Sequence, residues 1–193
     1  AGLRVLAFAD HGGRVATRNQ GLVNARFPYI LFLDAGNEVL PENLHLFVRT
    51  LQQTRAAAAY GNLLIRTMSS RCAHGVISNE SMQPRLFKDN YVDGCAVFDR
   101  HQLLDVGGYA FDEDLQGDHE LWMHLAANGR RSVFVPVVMG YYYLLPGSMG
   151  QVDDTSKPVN QNRVNRVFDP LRLRAALPMN THHLRYHPEI GYL

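Results

Sequence analysis

A chain of 193 residues, 46% hydrophobic and 19% charged, has the size and balance of one globular domain with a sizeable core. Nineteen basic residues against eighteen acidic ones leave a formal charge of +1, so no broad basic surface is available for nucleic acid. No uninterrupted apolar run approaches the ~20 residues that span a bilayer. Seventeen of the nineteen cations are arginine, an excess that codon bias explains better than phosphate recognition. Cys72 and Cys95 form neither a metal-type spacing nor a disulfide framework, which suits a reducing cytoplasm. Association with the cytoplasmic face of a membrane would come through a surface or through regions outside this chain.

Residues 3–9 read as a short buried strand. Gly12-Gly13 make a turn, and residues 14–25 place Val15, Leu22 and Ala25 on one helical face. The continuous apolar run 29–33, between Pro28 and Asp34-Ala35-Gly36-Asn37, predicts an interior strand of a mostly parallel sheet. Pro41 suits a helix start, and Leu44, Phe47, Val48 and Leu51 continue it to about Arg55. A strand over 56–65 follows, and this alternation indicates an α/β domain with crossover connections.

Residues 67–90 are polar and irregular and read as a long surface loop. A short strand at 95–98 leads to a helix around 101–106, which Gly107-Gly108 stops. The helix 118–128 turns Leu121, Trp122 and Leu125 inward and ends at Gly129. Residues 132–145 are strand-rich. Residues 150–193 form a C-terminal extension with one modest helix over 164–177, broken by Pro170. His183 and His187 belong to that polar tail rather than to a zinc site, because Pro188 disfavours the helix that would align them. His119 and His124, five apart, point in different directions and are incidental.

Asp34 follows an apolar strand, at the edge where open α/β sheets bind ligands. A carboxylate there can hold a divalent cation on a diphosphate, or it can simply cap the turn. Asp118 opens a helix, where the free amides favour negative charge, and it can serve either as a proton acceptor or as an N-cap. Arg18 could reach a phosphate, and Asn19 could tie its helix to the strand end. Each segment alone favours the bland reading.

In order and spacing, the set resembles the family-2 glycosyltransferases. The matching residues are Gly12 or Gly13, Ala16, Arg18, Asn19, Gly21 and Ala25, then Leu33-Asp34-Ala35-Gly36-Asn37, then Pro41 and Leu44. Asp93-Gly94, Arg100, Gly107-Gly108-Tyr109, Asp118 with Leu121-Trp122, Gly129, Val135-Pro136, Tyr142 and Ser148-Met149 continue it. The resemblance implies a GT-A-like α/β/α sandwich with a mostly parallel central sheet over residues 3–149. It also implies that the family's first strands are missing, the chain opening where the third would stand. It implies an inverting transfer from a nucleotide-sugar donor to a glycan or lipid-linked acceptor. Asp118 would be the general base. Arg18, Asn19, Asp34 and Asn37 would contact the donor, and Asp93 and Gly94 the acceptor.

The family usually places Mg²⁺ or Mn²⁺ on its Asp-x-Asp carboxylates, so Asp34 would be a metal ligand here. Three departures weaken that set: Gly36 replaces the second aspartate, Gly117 the glutamate before Asp118, and Leu145 a frequent histidine. One carboxylate with one amide, from Asn37, is a poor cation site. The alternatives are a degenerate GT-A-like binding or scaffold module and, more weakly, a sugar-nucleotide enzyme of another reaction class.

Overall fold

The computed structural model describes residues 3–7, 12–69, 72–73, 75–78, 80–82, 86, 90–109 and 117–144, together with the backbone of 186–187 and 191–192. Helix α1 (Gly13–Asn24) buries Val15 and Leu22, the two strongest apolar positions of its stripe. It leads to β1 (Tyr29–Leu31) and, across a turn closed by the Asn37 amide on the Asp34 carbonyl at 2.9 Å, to β2 (Asn37–Val39). Helix α2 (Pro41–Thr54) starts at proline, whose missing N–H costs nothing in a first turn, and buries Phe47 and Leu51. It stops at Arg55, whose left-handed φ of 56° returns its amide to the Leu51 carbonyl.

The long strand β3 (Ala58–Thr67) follows, then β4 (Gly75–Ile77) and β5 (Val97–Asp99). Asp99 caps α3 (Arg100–Asp105) by accepting from the Gln102 amide at 3.1 Å. Helix α4 (Gly117–Ala127) and β6 (Ser132–Leu144) complete the main body. A separate two-stranded ladder joins β7 (Tyr186–His187) to β8 (Gly191–Tyr192). The helix expected over 164–177 and the Ser148-Met149 match lie outside the described residues.

The sheet runs β1-β5-β3-β6-β2, with β4 added to β3. Its two faces are set by alternation along β3. Ala58 and Tyr60 join a core with α1, α3 and α4, whereas Ala59 and Leu63 pack with Phe47 and Leu51 of α2. The result is the expected three-layer α/β/α arrangement. Trp122 anchors the first core, stacked on Phe98 with centroids 5.3 Å apart and donating Nε1–H to the Val92 carbonyl at 3.0 Å.

The strand directions differ from a mostly parallel sheet. Of the five pairings in it, β3 with β6 is parallel and the other four are antiparallel. Strands β1, β3 and β6 nevertheless point the same way, as crossover connections require. The three-residue strand β5 lies reversed between β1 and β3 and separates them. Strand β1 is consequently an edge strand among the described residues, not an interior one.

Two further expectations are corrected. Residues 3–7 form no strand, and Leu3 and Val5 are 93% and 80% exposed, because no described strand offers that run a ladder partner. The segment 67–90 is not purely a surface loop. It contributes β4 and buries Ser78, Glu80, Met82 and Leu86. Its backbone accepts the Tyr60 hydroxyl at the Glu80 carbonyl, 2.8 Å away, and His119 bonds the Leu86 carbonyl. These backbone acceptors draw an irregular polar segment into the core.

Candidate active site

Topology brings the acidic residues to one edge of the sheet. Leu31 pairs with Val97 in antiparallel β1 and β5, so the residues after β1 and those before β5 emerge side by side. The first group contains Asp34 and the second contains Asp93-Gly94. Helix α4 delivers Asp118 from its first turn. Helix α1 crosses the same edge and carries Arg18.

Arg18 joins the two candidate acids. One guanidinium nitrogen donates to Asp34 Oδ1 at 2.7 Å, and the other donates to Asp118 Oδ1. The Arg18 and Asp118 side chains are only 10% and 16% exposed, whereas Asp34 is 51% exposed. Burial opposes the Arg18 charge, but Tyr109, Asp118 and Asp34 hold its pKa above the usual arginine value. The Tyr109 hydroxyl also donates to Asp118 Oδ1, at 3.4 Å, and its ring lies 5.1 Å beneath the guanidinium. Burial and then Asp118 raise the Tyr109 pKa, so this phenol stays protonated at neutral pH.

Asn19, a donor contact in expectation, has both halves of its amide committed to the Tyr109 backbone. Nδ2 donates to the carbonyl at 2.8 Å, and Oδ1 accepts from the amide at 2.9 Å. The neighbouring Gly108 sits at φ +74° with no room for a side chain, since a Cβ would come 3.0 Å from Leu22 Cδ2. Asn19 therefore clamps the turn that presents Tyr109.

Gly94 lies against Asp118 so closely that a Cβ there would stand 2.6 Å from the carboxylate Cγ. Asp93 is anchored by its amide donating to the Ser78 hydroxyl at 2.8 Å and by Oδ1 accepting from the Cys95 amide at 2.8 Å. Burial first, then the nearby Asp118 and Asp34, raise the Asp93 pKa from 3.8 to about 6, although the Cys95 bond acts the other way. The Cys95 thiol is pushed up to about 12 by burial and by Asp93, which leaves it unreactive.

Asp93 therefore makes stability depend on pH. The folded carboxyl keeps its proton to higher pH than the unfolded one, so its contribution is best below about pH 4 and is lost as pH rises through about 6. Asp93→Asn keeps an acceptor for Cys95 and removes the buried charge. At ~1.4 kcal/mol per pKa unit it is expected to stabilise the fold by about 2 to 3 kcal/mol at pH 8, and by less at pH 4.5. Urea unfolding at the two pH values measures this; an equal gain at both would show that charge is not the cause.

Beside Arg18 lies an open cleft of about 440 Å³ lined by Gly13, Arg14, Thr17, Arg18, Phe32, Leu33, Asp34 and Ala35. That volume is within the usual range of small-ligand sites. The expected divalent metal does not fit the residues present. Asp34 is the one carboxylate in the lining and is already bonded to Arg18. No group of three metal-ligating side chains occurs among the described residues. Gly36 supplies no side-chain oxygen, and Leu145 lies outside the described residues. Asn37 starts β2 opposite Tyr142, adjoining rather than lining the cleft.

Sequence reasoning named Tyr109 and Tyr142 only as family matches and passed over Arg14, which lines the cleft. Tyr142 is raised by burial and by Asp93, Asp34 and Asp118, with Arg14 acting in the opposite sense, so it shares the field of the site. Only the spacing of Arg14 four residues before Arg18, which places both on one helical face, could have drawn attention to it.

Comparison with known proteins agrees with this architecture. The computed fold is similar to that of Staphylococcus aureus TarS 1-349 in complex with UDP-GlcNAc, with a TM-score of 0.60 at 16% identity, covering 81% of this chain and 46% of that one. The same protein in complex with UDP gives a TM-score of 0.54 at 14% identity, covering 82% and 45%. The chain thus spans about half the length of these structures. No curated protein sequence matches it. Residues 1–101 match Glycosyl transferase family 2, over more than half of the sequence. With its motifs in family order on a GT-A-like fold, the chain belongs to glycosyl transferase family 2.

Proposed function

We propose that the protein transfers a sugar from a nucleoside-diphosphate donor to a hydroxyl of a glycan or lipid-linked acceptor, with inversion at the anomeric carbon. The observation that carries this reading is Arg18, which holds Asp34 and Asp118 together although 84 residues of sequence separate them. The cleft beside Asp34 receives the donor, and Asp93-Gly94 border the acceptor side.

Asp118 is the group for deprotonation. It takes the acceptor proton as the hydroxyl oxygen bonds to the anomeric carbon. The bond from that carbon to the diphosphate oxygen breaks on the opposite face, and the electron pair leaves with the diphosphate. Arg18 stabilises the negative charge that develops there and keeps Asp118 oriented. Tyr109 fixes the same carboxylate from below.

TarS has been solved with UDP-GlcNAc, which supports a nucleotide-sugar ligand for a fold of this kind. Calorimetry of the full chain with UDP-, GDP- and dTDP-sugars tests the donor, alongside transfer assays with labelled sugar. Binding by one donor series, weakened about tenfold or more in Asp34→Ala, is expected from loss of a carboxylate that positions Arg18. Absence of binding throughout would overturn the proposal. The departures at Gly36 and Gly117 favour a second reading, a non-catalytic binding domain, which predicts donor binding without transfer to any acceptor. A cytoplasmic location, or the cytoplasmic face of a membrane, fits a nucleotide-sugar donor; no described helix is long and apolar enough to cross a bilayer.

A further inference from the structure

The lining of the cleft is not that of a cation site. Its lining includes two guanidiniums, Arg14 and Arg18, against a single carboxylate, Asp34. A hard divalent ion needs several oxygen ligands, and the one carboxylate present already accepts from Arg18 at 2.7 Å. Arg18 is in turn compensated by Asp34 and Asp118. Arg14 is exposed and has no acidic partner among the described residues.

Arg14 and Arg18 are one turn apart on α1 and both line the cleft, so one anion there can meet both guanidiniums. The first turn of α1 adds to this. Its N-cap, Gly12, provides no side-chain acceptor for the opening amides, and a helix start favours negative charge. We propose that Arg14 and Arg18 together neutralise the donor diphosphate in place of a divalent cation, so that this site binds nucleoside diphosphates without metal. Arg14 is the specific element. Its planar fork matches two phosphate oxygens, and no family motif residue stands at its position. The inference rests on the transferase reading for the identity of the cleft, and it removes the metal from that reading.

The test is calorimetry of the full chain with UDP, GDP and dTDP, and with inorganic pyrophosphate as the base-free probe. Each titration is run in EDTA and again in Mn²⁺. Affinity for the preferred diphosphate is expected to agree within about threefold between the two conditions. Arg14→Ala should weaken it about tenfold or more, and Arg14→Lys should recover part of the loss, as for one charge-assisted contact. The unfolding midpoint of both variants should match that of the unaltered protein, because Arg14 is exposed and makes no described ion pair. An affinity that collapses in EDTA, or that is unchanged in Arg14→Ala, would overturn the inference and leave the transferase reading standing. Failure of every diphosphate to bind in either condition would overturn both.

Discussion

Asp118→Asn is expected to lower the rate of sugar transfer by about 10²- to 10⁴-fold, the range of a single general base, while donor affinity changes little. Asparagine has the same shape, so it still fits against Gly94, where a Cβ would stand 2.6 Å from the Asp118 Cγ. It can still accept from Arg18 and from the Tyr109 hydroxyl, so the cleft keeps its form. What it cannot do is take a proton. Single-turnover transfer and calorimetric donor binding, measured on the same preparations, separate the two quantities. Turnover near that of the unaltered protein would remove Asp118 from the reaction. A parallel loss of donor affinity would instead make it a binding residue.

Arg18→Met should give the largest loss of stability among the site variants, about 2 to 3 kcal/mol. The side chain keeps its approximate length and loses its charge. Asp118, which is 16% exposed, then faces Asp34 and Asp93 with no cation between them. The contribution from Asp34 is smaller because its carboxylate is 51% exposed and screened by water. Since the damage arises from an uncompensated acid, Arg18→Met with Asp118→Asn should be less destabilised than the sum of the single changes, with a coupling of about 1 to 2 kcal/mol. Urea unfolding of the four proteins gives the cycle. Strict additivity would mean that Arg18 contributes by packing its stem and not by bridging the acids. Arg18→Lys should behave more like methionine than like arginine in donor binding. An ammonium is a point charge and cannot hold two carboxylates through separate nitrogens.

The helices were legible because burial of a stripe leaves a local trace. Val15 and Leu22 in α1, and Phe47 and Leu51 in α2, recur at helical spacing and are the buried residues of those helices. Pro41, Gly108 and Gly129 mark turns by chemistry that acts within a few residues. Strand β5 could not be placed in this way. Three residues, Val97-Phe98-Asp99, carry no signal that they will lie reversed between β1 and β3. The same holds for 67–90. Its backbone carbonyls at Glu80 and Leu86 are taken up by Tyr60 and His119, far along the chain.

For the site, sequence order supplied the candidates Asp34, Asp118, Arg18, Asp93 and Gly94. Each segment alone favoured a turn cap, and only the ordered resemblance moved Asp34 and Asp118 from cap to site. That distinction depends on the distance between residues remote in sequence, which one guanidinium reports directly. The sequence by itself determined the family, the helical faces and the loss of a second aspartate at Gly36. Tertiary structure alone decided the direction of β5, the clamp of Asn19 on Tyr109 and the meeting of Arg14 with Asp34 in one cleft. The physical reason is range. Propensity and periodicity act over a few residues, whereas charge and hydrogen bonding act across whatever the fold brings within a few ångströms.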